Sequence, residues 1–175
     1  MIIDNTYFDN NILNLGNFET SNSRSNDVME NKIKAIDFSI SVYEQKYLCE
    51  LMGVELYSEY EASKSEEKWQ PLIEKLRNEE TKRSPIANYV YFYHKRDNEI
   101  ASSDNVDYKP VVDNSTVISV DKRRALAWND MVFLNSILMK WIYDNIVNTE
   151  APVIETTALW DVAGWERLLK EQVTL

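Results

Sequence analysis

Residues 84–97, Ser-Pro-Ile-Ala-Asn-Tyr-Val-Tyr-Phe-Tyr-His-Lys-Arg-Asp, constrain the fold of this chain more than any other stretch. The Ser84 hydroxyl is placed to accept one of the orphan N–H groups of a helix start, and Pro85 at the first helical position has no N–H to leave unpaired. Ile86, Tyr89, Val90 and Tyr93 then fall at i, i+3, i+4 and i+7, one face of a helix. Tyr91 and Phe92 carry aromatic surface beyond that face. A helix apolar around so much of its girth needs neighbours on several sides, from its own chain or from another subunit.

Three glycines and four prolines in 175 residues argue against a turn-rich all-β protein and for helices. The length and a 44% hydrophobic content suit one domain with a real core. No apolar run approaches a membrane span. The opening Met-Ile-Ile-Asp-Asn-Thr lacks the basic and apolar regions of a secretory signal. A single cysteine, Cys49, excludes an internal disulfide framework and suits a reducing cytosol. One cysteine with one histidine makes a His/Cys zinc site a poor expectation.

Along the chain, residues 1–26 are polar with apolar points that include Ile2, Ile3, Tyr7, Phe8, Ile12 and Leu13. They read either as an extended arm that docks on a partner or as a leader packed on its own domain. Asn26 or Asp27 is placed to cap a helix through Ile33, Ile36, Ile40 and Tyr43, continued by Tyr47, Leu48, Leu51 and Met52 and stopped by Gly53. Val54, Leu56, Tyr57 and Tyr60 begin a short helix. Trp69, Leu72, Ile73 and Leu76 form the buried side of another, which Pro71 forces to start near Gln70 or to kink. Residues 101–119, with Val106, Tyr108, Val111, Val112, Val117 and Ile118 around Pro110 and Asp113-Asn114, predict a β-prone hairpin or long loop. Ser119 precedes the longest helix, about Asp121 to Val147, with Ala125, Trp128, Met131, Val132, Leu138, Met139 and Ile142 in rhythm. After a linker from Asn148, the segment holding Leu159, Trp160, Trp165 and Leu168 reads as a docking element or as packing on its own bundle.

The fold class is therefore mainly α: a bundle of about four to six helices with a long β-prone loop at 101–119 and extended terminal arms. The domain boundaries are an arm at 1–26, a helical domain at 27–147, and a linker with docking segment at 148–175.

Catalytic signatures are missing. No P-loop, dinucleotide turn or Gly-x-Ser-x-Gly elbow occurs. Cys49 sits beside an apolar stripe without a local activator, and His94 lies between Tyr93 and Lys95-Arg96 as a surface or rim histidine. Carboxylates are plentiful, but no spacing singles out a two-acid site. No enzyme activity, cofactor or metal is expected. The net charge of −10 is uneven: residues 1–80 hold sixteen acids against eight bases, residues 81–175 thirteen against eleven. Bases cluster as Lys82-Arg83, Lys95-Arg96 and Lys122-Arg123-Arg124. They read as solvated helix faces and ends, or as channel or inter-subunit contacts. A sequence-specific nucleic-acid reader would carry a net basic domain.

Three blocks taken together, Tyr43-Glu-Gln-Lys-Tyr-Leu-Cys-Glu-Leu-Met-Gly-Val-Glu-Leu-Tyr, Lys82-Arg-Ser-Pro-Ile-Ala-Asn-Tyr-Val-Tyr-Phe-Tyr and Arg124-Ala-Leu-Ala-Trp-Asn-Asp-Met-Val, resemble head-to-tail connector (adaptor, neck-ring) proteins of crAss-like and related tailed phages of Bacteroides-type hosts. The resemblance covers about residues 27–147; the segment from Asn105 to Asn114 departs from it in having no glycine. It implies a helical virion protein that forms a ring of about twelve copies below the portal. Such a protein joins capsid to tail in the neck after assembly in the host cytoplasm. It contacts the portal, other neck or tail proteins and, without specificity, the passing genomic DNA, and has no membrane partner.

On that reading Tyr7 and Phe8 anchor the N-terminal arm, and Val106, Tyr108, Val111, Val112, Val117 and Ile118 meet the adjacent subunit. Trp160, Trp165 and Leu168 dock on the portal or the next ring, so that removing the chain after Asn148 is expected to weaken docking and leave the core folded. The alternative is a soluble acidic phage regulator that occupies the DNA site of a host nucleic-acid enzyme.

Overall fold

The computed structural model describes residues 1–9, 13–15, 23–103 and 120–170. Six α-helices organise them: α1 (Ser23–Met52), α2 (Val54–Ser63), α3 (Gln70–Leu76), α4 (Pro85–Ser103), α5 (Val120–Ile142) and the single turn α6 (Trp165–Leu168). The described residues contain no strand, only one isolated bridge between Asn78 and Arg83. The expected hairpin falls almost wholly on residues 104–119, outside the described residues, and so do Val106, Tyr108, Val111, Val112, Val117 and Ile118. Its first three positions, 101–103, are the last turn of α4.

The central element is α4, as its sequence requires. Ser84 Oγ lies 3.1 Å from the Ile86 N–H and 3.4 Å from that of Ala87, and donates to the Leu76 carbonyl at 2.7 Å. One buried hydroxyl thus caps α4 and ties it to the end of α3. Every residue from Ser84 to Tyr91 is buried. The neighbours that α4 demands come from its own chain. On one side Tyr93 stacks on Tyr43 at 4.9 Å and Tyr89 meets Tyr47 edge-on at 5.5 Å. On the other, Trp128 of α5 lies 4.6 Å from Phe92 and 6.0 Å from Tyr89. Residue number falls along α4 as it rises along α1 from Tyr43 to Tyr47, and likewise as it rises along α5 from Arg124, over Phe92, to Asp130, which Asn88 and Arg83 reach. Hence α4 runs antiparallel to α1 and to α5, and α1 and α5 run parallel to each other.

Gly53 ends α1 and opens α2. Its φ of 85° is open to glycine at little cost, its N–H reaches the Cys49 carbonyl at 3.0 Å, and its carbonyl accepts from Tyr57 N–H at 3.0 Å. Pro71 does not kink a helix. It occupies the first turn of α3, where a missing N–H is harmless, and Glu67–Trp69 forms a separate 3₁₀ turn before it. The long C-terminal helix stops at Ile142 and passes into one π turn, Tyr143–Val147.

The N-terminal residues are not a free arm. Ile2, Ile3, Tyr7, Phe8 and Leu13 are buried in the common core. The reason is a buried carboxylate: Glu44 of α1 accepts the Ile2 N–H at 2.8 Å and the Ile3 N–H at 3.2 Å, while Arg77 donates to the Ile2 carbonyl at 2.9 Å. Burial raises the Glu44 pKa, and those two N–H groups pull it back only in part. Asp4 caps the 3₁₀ turn Asn5–Phe8 through the Thr6 N–H at 2.9 Å. Helix α1 begins at Ser23, ahead of the expected cap at Asn26 or Asp27.

Candidate assembly surfaces

The C-terminal segment, residues 148–170, is a strap over the end of α1. The last carbonyls of a helix have no partner within it. Here the strap supplies them: Trp165 Nε1 donates to the Leu51 carbonyl at 2.8 Å and the Asp161 N–H to that of Met52 at 3.1 Å. A Cβ on Gly53 would lie 2.7 Å from Asp161 Cβ, so the crossing is as close as a glycine permits. Glu59 of α2 holds the strap further up, with one carboxylate oxygen accepting from Thr157 N–H at 2.9 Å, Thr157 Oγ1 at 2.7 Å and Ala158 N–H at 3.1 Å. These donors hold the Glu59 carboxyl down at about 2. Arg167 pairs with Glu50 at 3.0 Å and donates to Tyr93 Oη at 2.6 Å. At the far end, fully buried Asn135 bridges Tyr47, whose hydroxyl donates to Oδ1 at 2.5 Å, and the Leu168 carbonyl, which accepts from Nδ2 at 3.0 Å.

The strap bears on three expectations, and of the two readings of this segment it takes the packing on its own bundle. Leu168 is fully buried in its own chain. Trp160 and Trp165 are half-buried against the same core. Removing the chain after Asn148 would therefore uncover Leu51, Met52 and Asn135, and is not a clean test of docking. Tyr7 and Phe8 are likewise core residues, at 1% and 0% exposure, with no surface left for a partner. Among the apolar side chains of the strap, Leu159 stands out at 89% exposure. An open cleft of about 560 Å³ beside it is lined by Ile146, Val147, Pro152, Ile154 and Trp160, with Glu155 as its ionisable group.

Most of the basic clusters are engaged inside the molecule. Lys82 pairs with Glu79 at 2.9 Å and lies 5.0 Å from the centre of the Tyr7 ring. Arg83 pairs with Asp130 at 2.5 Å. Lys95 lies over Tyr91, Arg96 over Tyr93 and against Asp97, and Arg124 over Phe92. These cations extend the aromatic core outward, as cation–π contacts do. Lys122 and Arg123 are exposed. His94 is half-buried, 2.9 Å from Ser39 Oγ and from Asn98 Nδ2; burial and then the Lys95 charge lower its pKa. Cys49 is a half-buried free thiol raised by burial, far from a nucleophile's usual setting. Among the described residues no group of three His, Cys, Asp or Glu is placed to hold a metal, and no helix is long and apolar enough to cross a membrane.

Among the described residues, two helix faces that the periodicity argument passed over also carry exposed apolar side chains. On α5, Leu126, Phe133 and Ile137 are 51%, 57% and 56% exposed, on the side opposite the buried Trp128, Val132, Asn135 and Met139. On α1, Phe38 is 70% exposed and Val42 also projects, opposite the buried Ile36, Ile40 and Tyr47. Both faces carry the same local pattern, Phe-x-x-Ser followed by a β-branched residue: Phe38-Ser-Ile-Ser-Val and Phe133-Leu-Asn-Ser-Ile. In each, the serine hydroxyl bonds back to the phenylalanine carbonyl at 2.7 Å and so removes its own polarity from the face. The signal was in the sequence, as apolar residues lying off the core stripe of an otherwise regular helix. No protein-family model, curated protein or solved structure matches the chain.

Proposed function

We propose that this chain is an assembly subunit: a head-to-tail connector of a tailed-phage neck that forms a ring below the portal, joins capsid to tail and lines the DNA channel. The observation that carries the reading is the pair of outward apolar faces on α1 and α5. Single exposed apolar residues are ordinary, but aligned rows on two helices of one small domain mark protein contact. The setting in a phage neck comes from the resemblance of residues 27–147 to connector proteins. Charge supports it: a subunit of net charge −10 whose cations are largely paired with its own acids and rings would let DNA slide past.

The test is cross-linking mass spectrometry on purified particles of a phage that encodes this chain. Cross-links from the chain to portal peptides and to copies of itself are expected. Absence of the chain from the particles would discard the connector reading. Capture of a host nucleic-acid enzyme by the free protein would then put the acidic regulator in its place.

A further inference from the structure

The strap that closes the end of α1 is joined to α5 through residues 148–153, all exposed apart from half-buried Pro152. Of residues 148–170, only Ile154 and Leu168 are fully buried. Much of what holds the strap is a set of hydrogen bonds near the surface: Thr157 and Ala158 to Glu59, Asp161 and Trp165 to the last carbonyls of α1, Arg167 to Glu50 and Tyr93. The ring contacts that join α1, α4 and α5 include none of its residues. Two buried polar atoms, Trp160 Nε1 of the strap and Oε2 of Glu50 beneath it, lack a hydrogen-bond partner among the described residues, a cost that opening relieves. A segment held in this way opens at a lower free energy than the core it lies on. We propose that the strap is an exchangeable arm: it leaves the end of its own α1 as one unit and is taken up by the same seat on a second copy of the chain. The proposal goes beyond the neck assignment and does not depend on it.

Concentration decides whether a second copy competes for the seat. Strap and seat are the same in every copy, so a strap docked on a neighbour makes the hydrogen bonds and apolar contacts that it makes at home. Those contacts cancel, and the balance is left to proximity. A short flexible linker presents its own segment at an effective concentration of about 1 mM. A neighbour at that concentration competes on equal terms, and one held beside the seat in an assembly competes better. The hinge has the reach. Val153 N–H bonds the Asn145 carbonyl at 3.0 Å and Asn148 N–H that of Tyr143 at 2.8 Å. With both released, residues 143–153 extend to roughly 36 Å, enough to cross to a copy in contact. Passed from each copy to the next, the strap links subunits through a seat already built to hold it.

Timed cross-linking of the full chain is the test. Leu159 falls on the strap between Thr157, held by Glu59, and Asp161, held at Met52, which sets it across from the α2 turn that contains Glu55. Both side chains are exposed, and neither takes part in the hydrogen bonds of the seat. In a Cys49→Ser background, Glu55→Cys and Leu159→Cys are made together and singly. The double variant is expected to cross-link within one chain when a short bis-maleimide is added, which verifies the seat. The two single variants are then mixed at about 1 mM and samples are pulsed with the reagent over hours, each variant alone supplying the blank. Mixed dimers are expected to build up slowly to a plateau that rises with protein concentration. Asn135→Ala in both partners weakens the seat equally at home and on the neighbour, so it should speed the approach and leave the plateau in place. Absence of mixed dimers while the double variant cross-links internally would overturn the proposal. So would full yield in the first sample, the mark of a collision between closed surfaces. Failure of the double variant to cross-link internally would overturn the seat itself. Circular dichroism before the reagent is added verifies that the substitutions leave the helices formed.

Discussion

Replacing Asn135 by alanine strikes a side chain that joins α1, α5 and the strap. Its amide is fully buried, accepts from Tyr47 Oη at 2.5 Å and donates to the Leu168 carbonyl at 3.0 Å. The variant leaves both partners unpaired. A buried polar group so stranded costs about 1–3 kcal/mol. The Tyr47 hydroxyl, itself fully buried, bears the upper part of that range; the Leu168 carbonyl, close to the exposed end of the strap, bears the lower part. Together they amount to about 3–4 kcal/mol. For a chain of this length that lowers Tm by roughly 6–16 °C, since each kcal/mol moves it about 2–4 °C. Differential scanning calorimetry on the wild type, Asn135→Ala, Tyr47→Phe and the double variant forms the cycle. The double variant should lose clearly less than the sum of the singles, because each single strands what the other removes. A fall below about 2 °C for Asn135→Ala, or strict additivity, would refute the bridge as described.

Three further predictions follow from the same structure. Glu59 has its pKa held at about 2 by the strap donors, against an ordinary 4.5, so its contribution is complete above pH 4.5 and is lost as pH falls toward 2. Protection factors at Thr157 and Ala158, taken against the intrinsic exchange rate at each pH, should fall over that window in the wild type and be low already at neutral pH in Glu59→Gln; equal protection in both proteins would show that the carboxylate does not hold the strap. Glu44 has the opposite sign: its raised folded pKa means that stability falls as pH rises above 4.5 through the folded value, and a Tm-against-pH series should lose that descending component in Glu44→Gln. Gly53→Ala places a side chain at φ 85° and ψ 159°, a region nearly reserved for glycine, and 2.7 Å from Asp161 Cβ, costing about 1–3 kcal/mol for the backbone alone and more for the clash. Adding Asp161→Gly should recover the clash component and leave the backbone component, read by urea denaturation.

Much of the helical layout is legible in the sequence because its signals are local. Ser84 and Pro85 mark a start, Gly53 a stop, and Pro71 a first turn, and each acts over a few residues whatever the rest of the chain does. The wide burial of α4 is legible too, since Ile86 to Tyr93 spread apolar surface around the helix. What periodicity does not carry is the identity of the partner. Tyr7, Phe8 and Leu168 read the same whether they dock on a neighbour or on their own core. The choice is made by Glu44, Arg77 and Asn135, polar groups that lie far away in the sequence. The converse error has the same origin: Phe38, Phe133 and Ile137 pass for ordinary members of amphipathic helices until the buried side of each helix is known.

The strap also sets a schedule. Leu51 and Met52 receive their hydrogen-bond donors from Trp165 and Asp161, more than a hundred residues later in the chain. Ribosomes add ~5–20 residues per second, so the last turn of α1 waits roughly 6–23 s between its own synthesis and that of the segment that closes it. The helices that bury Tyr47, Tyr89 and Trp128 are all made by Ile142, about 1–5 s before residue 168, leaving until then a half-built nascent chain whose open end is the end of α1. Chaperone capture, premature subunit pairing and proteolysis all have that interval in which to act, and it shuts when residue 168 arrives.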